Sequence, residues 1–271
     1  EKIKPSVSID NHFVFMGIGS SPFEKNEYVT LYLPGDVRLN DANIVNKSGD
    51  ITGSSLCADT LTLDAGYGDV DFSNISCSDA AFSLKSGKLK LTDFSDGNLS
   101  INNDFGTSTL KHISAKNISA TNESGDISAE NITADNLSML QEYGDICFQN
   151  ITVAEAASIT SESGAIKLTN FTAGSVQLKS DYGSVTGASI AADTSSFALE
   201  SGDLELEQFA ADNISVESDY GDVKLDLAES VYQYSMDLYT DYGQIRINKE
   251  KLGETYKTLE AKEKDRTIKV K

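Results

Sequence analysis

Residues 163–183 read SGAIKLTNFTAGSVQLKSDYG, with glycines 19 residues apart at Gly164 and Gly183. Counted from Gly164, apolar side chains fall at offsets +2, +4, +7, +9, +12 and +14: Ile166, Leu168, Phe171, Ala173, Val176 and Leu178. Steps of two put alternate side chains on one face of an extended chain. Steps of three mark corners, where one extra residue turns the strand. The three-and-four alternation of a helix is absent. The unit predicts two or three very short strands bent around an apolar interior.

The unit recurs on both sides. Its glycine returns at Gly49, Gly68, Gly87, Gly106, Gly125, Gly144, Gly164, Gly183, Gly202, Gly221 and Gly243. A fixed short period is the mark of a solenoid. One unit cannot bury its inner face alone, but stacked units can, each strand pairing with its equivalent about 4.8 Å away. Offset +7 then becomes a spine of Leu56, Ile75, Phe94, Ile113, Ile132, Ile151, Phe171, Ile190 and Phe209. Such regularity predicts a packed core rather than a ligand cavity. Asparagine recurs at +6 (Asn74, Asn131, Asn150, Asn170) and at +11 (Asn98, Asn117, Asn136, Asn213). It tolerates left-handed backbone and suits corners. The fold class expected is an all-β, single-chain, β-helix-like solenoid of about ten rungs of about 19 residues. Because Ser and Tyr or Phe alternate before the glycines, a 38-residue double rung is the other geometry compatible with the pattern.

The chain has 271 residues, 42 acidic and 22 basic, for a net charge of -20. That balance excludes a nucleic-acid binder on electrostatics and disfavours docking on anionic lipid. Residues 246–271 run against it, with nine Lys or Arg and five Asp or Glu. This basic end reads as a solvated segment, with contact to an anionic surface as the other possibility. The three cysteines, Cys57, Cys77 and Cys147, share no column and imply no disulfide framework; Cys77 reads as a buried small hydrophobe. No 18-residue apolar run predicts a membrane span.

Taken in order, residues 1–45 are expected to form an N-terminal β cap, with strands around Val7–Ile18 and Tyr28–Leu33. A cap is needed because an open stack end exposes core and unpaired backbone. The repeat array is expected over 46–248. Residues 249–271 read as a short helix or loop followed by a last strand at Arg266–Val270.

The recurrent Ser-Gly-Asp-Ile (Ser48–Ile51, Ser124–Ile127) and Tyr-Gly-Asp-Val/Ile (Tyr67–Val70, Tyr143–Ile146, Tyr220–Val223), preceded by Leu31-Tyr32-Leu33-Pro34-Gly35, resemble a bacterial family. It is domain of unknown function 4097, whose members are named as adhesins. The resemblance covers roughly residues 25–271. It implies a β-solenoid on the outer side of a bacterial membrane, often behind an N-terminal signal or anchor, here expected upstream. It implies no established activity and no catalytic residues.

Three polar or aromatic columns stand out. Acids occupy the position two before the glycine in eight successive units: Asp104, Glu123, Glu142, Glu162, Asp181, Glu200, Asp219 and Asp241. The position after the glycine adds Asp50, Asp69, Asp126, Asp145, Asp203 and Asp222. Stacked carboxylates repel by roughly 1 kcal/mol in water. The row is therefore expected to be a solvated edge, with calcium binding the second reading because calcium takes carboxylate oxygens. The rings Tyr67, Phe105, Tyr143, Tyr182, Tyr220 and Tyr242 are expected to cover a corner of the core, or else to form an exposed row for sugar or protein partners.

Enzymatic signatures are sparse. The histidines are His12 and His112, and arginine occurs only at Arg38, Arg246 and Arg266. His112 falls at a corner offset and reads as a turn residue. The expected function is a non-catalytic scaffold on the cell surface or outside the cell, presenting an acidic solenoid to an envelope glycan or surface protein for adhesion or envelope sensing. No cofactor is expected. Alternatives are a carbohydrate-active enzyme, either a polysaccharide lyase or a glycosidase with two carboxylates, and a calcium-dependent matrix or self-association module.

Overall fold

The computed structural model describes residues 12–16, 31–33, 37–229, 235–238, 241–248, 250–253, 257–259 and 267–270. All regular structure among them is strand, in one sheet that winds on itself. Strands β3 (Ile51–Tyr67) and β4 (Val70–Ser86) pair in parallel, Ile51 with Val70 and Tyr67 with Ser86. The later units pair likewise, so a rung is 19 residues and the 38-residue alternative falls. The chain is a β-solenoid of about ten turns.

One rung shows why this sequence folds this way. In Ile166–Tyr182, side chains +2, +4, +7, +9, +12 and +14 point inward and are buried, as their spacing requires. The first corner falls at +6, where the backbone is left-handed in successive rungs: Asn74, Asp93, His112, Asn131, Asn150, Asn170, Ser189 and Gln208 have φ of 51–58°. Asn is favoured there because its short polar side chain tolerates that conformation. Its amides also bond rung to rung, Asn150 Nδ2 donating to Asn131 Oδ1 and Asn170 Nδ2 to Asn150 Oδ1, both at 2.9 Å.

The second corner lies at +10, where the register skips a residue, as at Gly174 between Ala173 and Ser175. The one 20-residue unit places its extra residue here, around Ala154–Ala156, and the core columns resume at Ala157 and Ile159. The +11 asparagines are not left-handed. They follow this corner and form an outward amide ladder, Asn117 Nδ2 donating to Asn98 Oδ1 at 2.8 Å and Asn136 Nδ2 to Asn117 Oδ1 at 3.1 Å.

The third corner holds the repeat glycine, with φ of 110–152° from Gly49 to Gly221. A Cβ at Gly144 would collide with the carbonyl oxygen of Gly125 on the rung before. Glycine is required twice over, by conformation and by the closeness of stacked backbones.

The spine at +7 is buried from Ile75 to Phe209, while Leu56 is only partly covered. Phe148 and Phe171, on successive rungs, stack at 6.3 Å with ring planes 9° apart. The sequence pattern hid a seventh inward column at +16, because most of it is polar. Asn103, Asn122, Gln141, Ser161, Ser180 and Ser218 are buried there. Several donate to the corner carbonyls: Asn122 Nδ2 to Gly125 O at 2.6 Å, Gln141 Nε2 to Gly125 O at 2.7 Å and Ser180 Oγ to Gly183 O at 3.1 Å. A buried polar group is tolerated when it is bonded in this way.

At the N-terminal end, β1 (His12–Met16) pairs in parallel with β2 (Leu39–Asn46), and β2 is already in register with β3. Residues 1–11 and 17–30 lie outside the described residues. Leu31–Leu33, read as strand from sequence, lie outside any strand; Pro34, next in the sequence, offers no donor for a ladder. Residues 249–262, read as helix or loop, carry two short strands instead, β16 (Glu250–Gly253) and β17 (Lys257–Leu259). The first folds back on β15 (Ile245–Ile247) through Asn248, whose φ is 47°. The last strand, β18 (Thr267–Val270), pairs in parallel with β12 (Leu204–Tyr220), continuing the third side of the rungs. Among the described residues no helix is long and apolar enough to cross a membrane.

Candidate functional site

The glycine corner builds one long edge of the solenoid. On each rung the residue before the glycine, at +18, would face inward if alternation continued past +16. The register instead skips +17: Ser180 pairs with Leu199 and Tyr182 with Ser201, and nothing pairs at Asp181. That extra corner residue turns +18 outward. Tyr67, Phe105, Tyr143, Tyr182, Tyr220 and Tyr242 are consequently 57–69% exposed. The rings do not cover the core corner; they stand outside it.

Rings and serines alternate up this edge. Tyr67 pairs with Ser86, Ser86 with Phe105, Phe105 with Ser124, Ser124 with Tyr143, and so on to Tyr220. The alternation ends at Tyr242, which bridges directly to Tyr220. Those two rings stack at 5.2 Å with planes 6° apart.

Beside the rings and serines from Phe105 onward, at +17, stands the acid row Asp104, Glu123, Glu142, Glu162, Asp181, Glu200, Asp219 and Asp241, none of it buried; Gly66 and Lys85 hold the position beside Tyr67 and Ser86. The acids follow the corner as a line, one to a rung. Among the described residues no group of three or more His, Cys, Asp or Glu side chains converges to hold a metal ion. Lys179 enters the row, its ammonium 2.7 Å from Asp181 Oδ1. The Asp181 hydrogen bond holds the lysine pKa above its ordinary value, with Glu200 and Glu162 adding to the effect.

The aspartates after the glycine have a different task. The corner leaves their backbone N–H groups without a ladder partner, and the carboxylate one rung earlier accepts them. Asp69 N–H donates to Asp50 Oδ1 at 2.9 Å, Asp145 N–H to Asp126 Oδ1 at 3.0 Å, Ala165 N–H to Asp145 Oδ1 at 2.8 Å and Asp222 N–H to Asp203 Oδ1 at 2.8 Å. This second acid column is a structural ladder. Asp145→Ala, measured by chemical denaturation, is expected to cost about 1 kcal/mol, and Asp145→Asn distinctly less, because the amide oxygen still accepts. Equal losses would assign the effect to charge.

The remaining singled-out residues fall elsewhere. His112 occupies a +6 corner, its Nδ1 3.2 Å from Asp93 Oδ1, as a turn residue would. The side chain of His12 lies outside the described residues. Cys77 is buried in the core, and burial pushes its thiol up to about 11. Arg38 ties the first rungs together, bonding Asp59 at 2.6 Å, Cys57 Sγ at 3.2 Å and Ser78 Oγ at 3.2 Å. Other cations pair with acids one rung away: Lys90 with Asp71, Lys111 with Glu130 and Lys224 with Glu205. Among the described residues the third side carries an open groove floored by Ser175, Gln177, Thr194, Ser196, Asn213 and Ser215.

The serine column, Ser86, Ser124, Ser163 and Ser201, belongs to the edge as much as the rings do. Its signal in the sequence was the Ser/Tyr alternation, which points to a site only once the rungs are in register.

A family model described as Toastrack DUF4097 matches residues 2–134 and again residues 116–271. No curated protein and no solved structure matches the chain.

Proposed function

The chain belongs to the Toastrack DUF4097 family, and from that premise we propose that it is a rigid, non-catalytic scaffold. It is displayed on the outer side of a bacterial envelope and meets its partner along the ring-and-acid edge. The observation that carries this reading is the exposure of all six rings, regularly spaced on a backbone fixed by stacked rungs. Large exposed aromatic rows mark interaction sites rather than ordinary surface. A solenoid supports them well, because each rung is held by both neighbours and the row cannot splay. The family is not a known enzyme family, and it supplies a repeat scaffold. The excess of acid keeps such a body soluble and steers it away from anionic lipid and nucleic acid.

Cys147 provides the test of display. It is exposed, whereas Cys77 is buried. A membrane-impermeant maleimide added to intact cells of the native host is expected to modify Cys147. Labelling that appears only after lysis would contradict display outside the membrane.

A further inference from the structure

Rungs repeat at about 4.8 Å, so rings on alternate rungs stand about 9.6 Å apart. Each interval is a rung whose residue in that column is serine: Ser86, Ser124, Ser163 and Ser201. Serine carries no ring, so at this spacing the interval has room for one ring thickness. The end of the edge shows what such a space accepts. Tyr242 stands where the alternation calls for serine, and its ring lies flat against Tyr220 at 5.2 Å. That is within the 4.5–7 Å range of favourable stacking. A planar group seated midway in any earlier gap would lie about as close to the rings on both sides.

The rim of each gap is polar. Between Tyr143 and Tyr182 stand Glu142, Glu162 and Asp181, with the Ser163 hydroxyl on the intervening rung. A ligand suited to this place has apolar faces and a rim of hydrogen-bond donors. Carboxylates accept such donors strongly. A pyranose has this character: C–H groups on its faces and hydroxyls around its edge. At the Ser124, Ser163 and Ser201 gaps the density of acid rejects an anionic sugar; the Ser86 gap carries Lys85 instead. We propose that the serine gaps are subsites for neutral pyranose rings of a polysaccharide, one ring to a gap between two aromatic side chains. This rests on the ring-and-acid edge being the interaction surface.

The test uses affinity electrophoresis of the full chain through gels containing a soluble neutral β-glucan, a neutral mannan or, as the charged counterpart, polygalacturonate. The expected result is retardation by at least one neutral polymer and none by polygalacturonate. The decisive variant is Ser124→Tyr/Ser163→Tyr, which fills two gaps as Tyr242 fills its own and leaves every ring in place. Its thermal melt checks folding. Filling the gaps is expected to weaken binding about tenfold or more, each lost subsite removing a sugar stacked between two rings. Unchanged or tighter binding by the filled variant would overturn the gap assignment, since a plain apolar row gains from added rings. No retardation by either neutral polymer would overturn it too. So would a concentration-dependent dimer of the wild-type chain abolished by the filled variant, since the gaps would then seat a second copy's rings. The scaffold reading is separable from these outcomes: it stands if replacing rings by serine still abolishes retention on cell envelopes while no glycan binds, and falls with the gap assignment if neither measurement responds.

Discussion

Gly144→Ala is expected to lower the unfolding free energy by about 4 kcal/mol or more, enough to separate the array at that rung. Two effects add. The φ of 135° is one that side-chain-bearing residues rarely adopt, and holding alanine there costs about 1–3 kcal/mol. The new Cβ would also meet the carbonyl oxygen of Gly125. Relief requires the rungs to part, which stretches the bonds from Gly125 N–H to Tyr143 O at 2.8 Å and from Ile127 N–H to Asp145 O at 2.9 Å. Gly49→Ala isolates the first effect. Its φ is 110°, and among the described residues the nearest atom to an added Cβ is Asn46 Nδ2 at 3.8 Å. Denaturant titrations of the two variants should differ by the cost of the collision. Equal, small losses would show that the corners are not in stacking contact.

Phe171→Ala is expected to cost about 3–5 kcal/mol and to lower the melting temperature by about 10 °C. Phe171 is fully buried, pairs with Ile151 and Ile190 along the spine, and stacks on Phe148. Its removal opens a void in the middle of the array, and rungs locked by their neighbours cannot collapse into it. Because stability in a stack is the sum of rungs and their interfaces, the loss should be concentrated in amides of adjacent rungs, as read by hydrogen exchange. A uniform loss along the whole chain would contradict nearest-neighbour coupling.

The period, the inward offsets and the +6 corners were legible in the sequence because each follows from local sterics repeated many times. Phe171 and Asn170 could be placed inside and at a corner from one unit alone. What stayed hidden depends on register. The carboxylate of Asp145 reads as one more charge until the N–H of Ala165 is seen to lie beneath it on the next rung. Gln141 breaks the apolar pattern, yet points inward because corner carbonyls there need a donor. Tyr143 reads as a core cover by alternation, and is exposed because the residue before it forms a corner. The amphipathic period reports the inside of a solenoid faithfully; the edge is decided by one-residue turns that leave no periodic trace.

The most direct test of the edge replaces rings by the residue that the neighbouring rungs already carry. Tyr143→Ser/Tyr182→Ser should fold as the wild type does, since serine occupies the same column at Ser124, Ser163 and Ser201. Retention of the purified chain on isolated cell envelopes of the native host is the quantity to measure. Loss of two of the rings is expected to reduce retention about tenfold at unchanged melting temperature. Undiminished retention by the folded double variant would mean that the partner is met elsewhere on the solenoid.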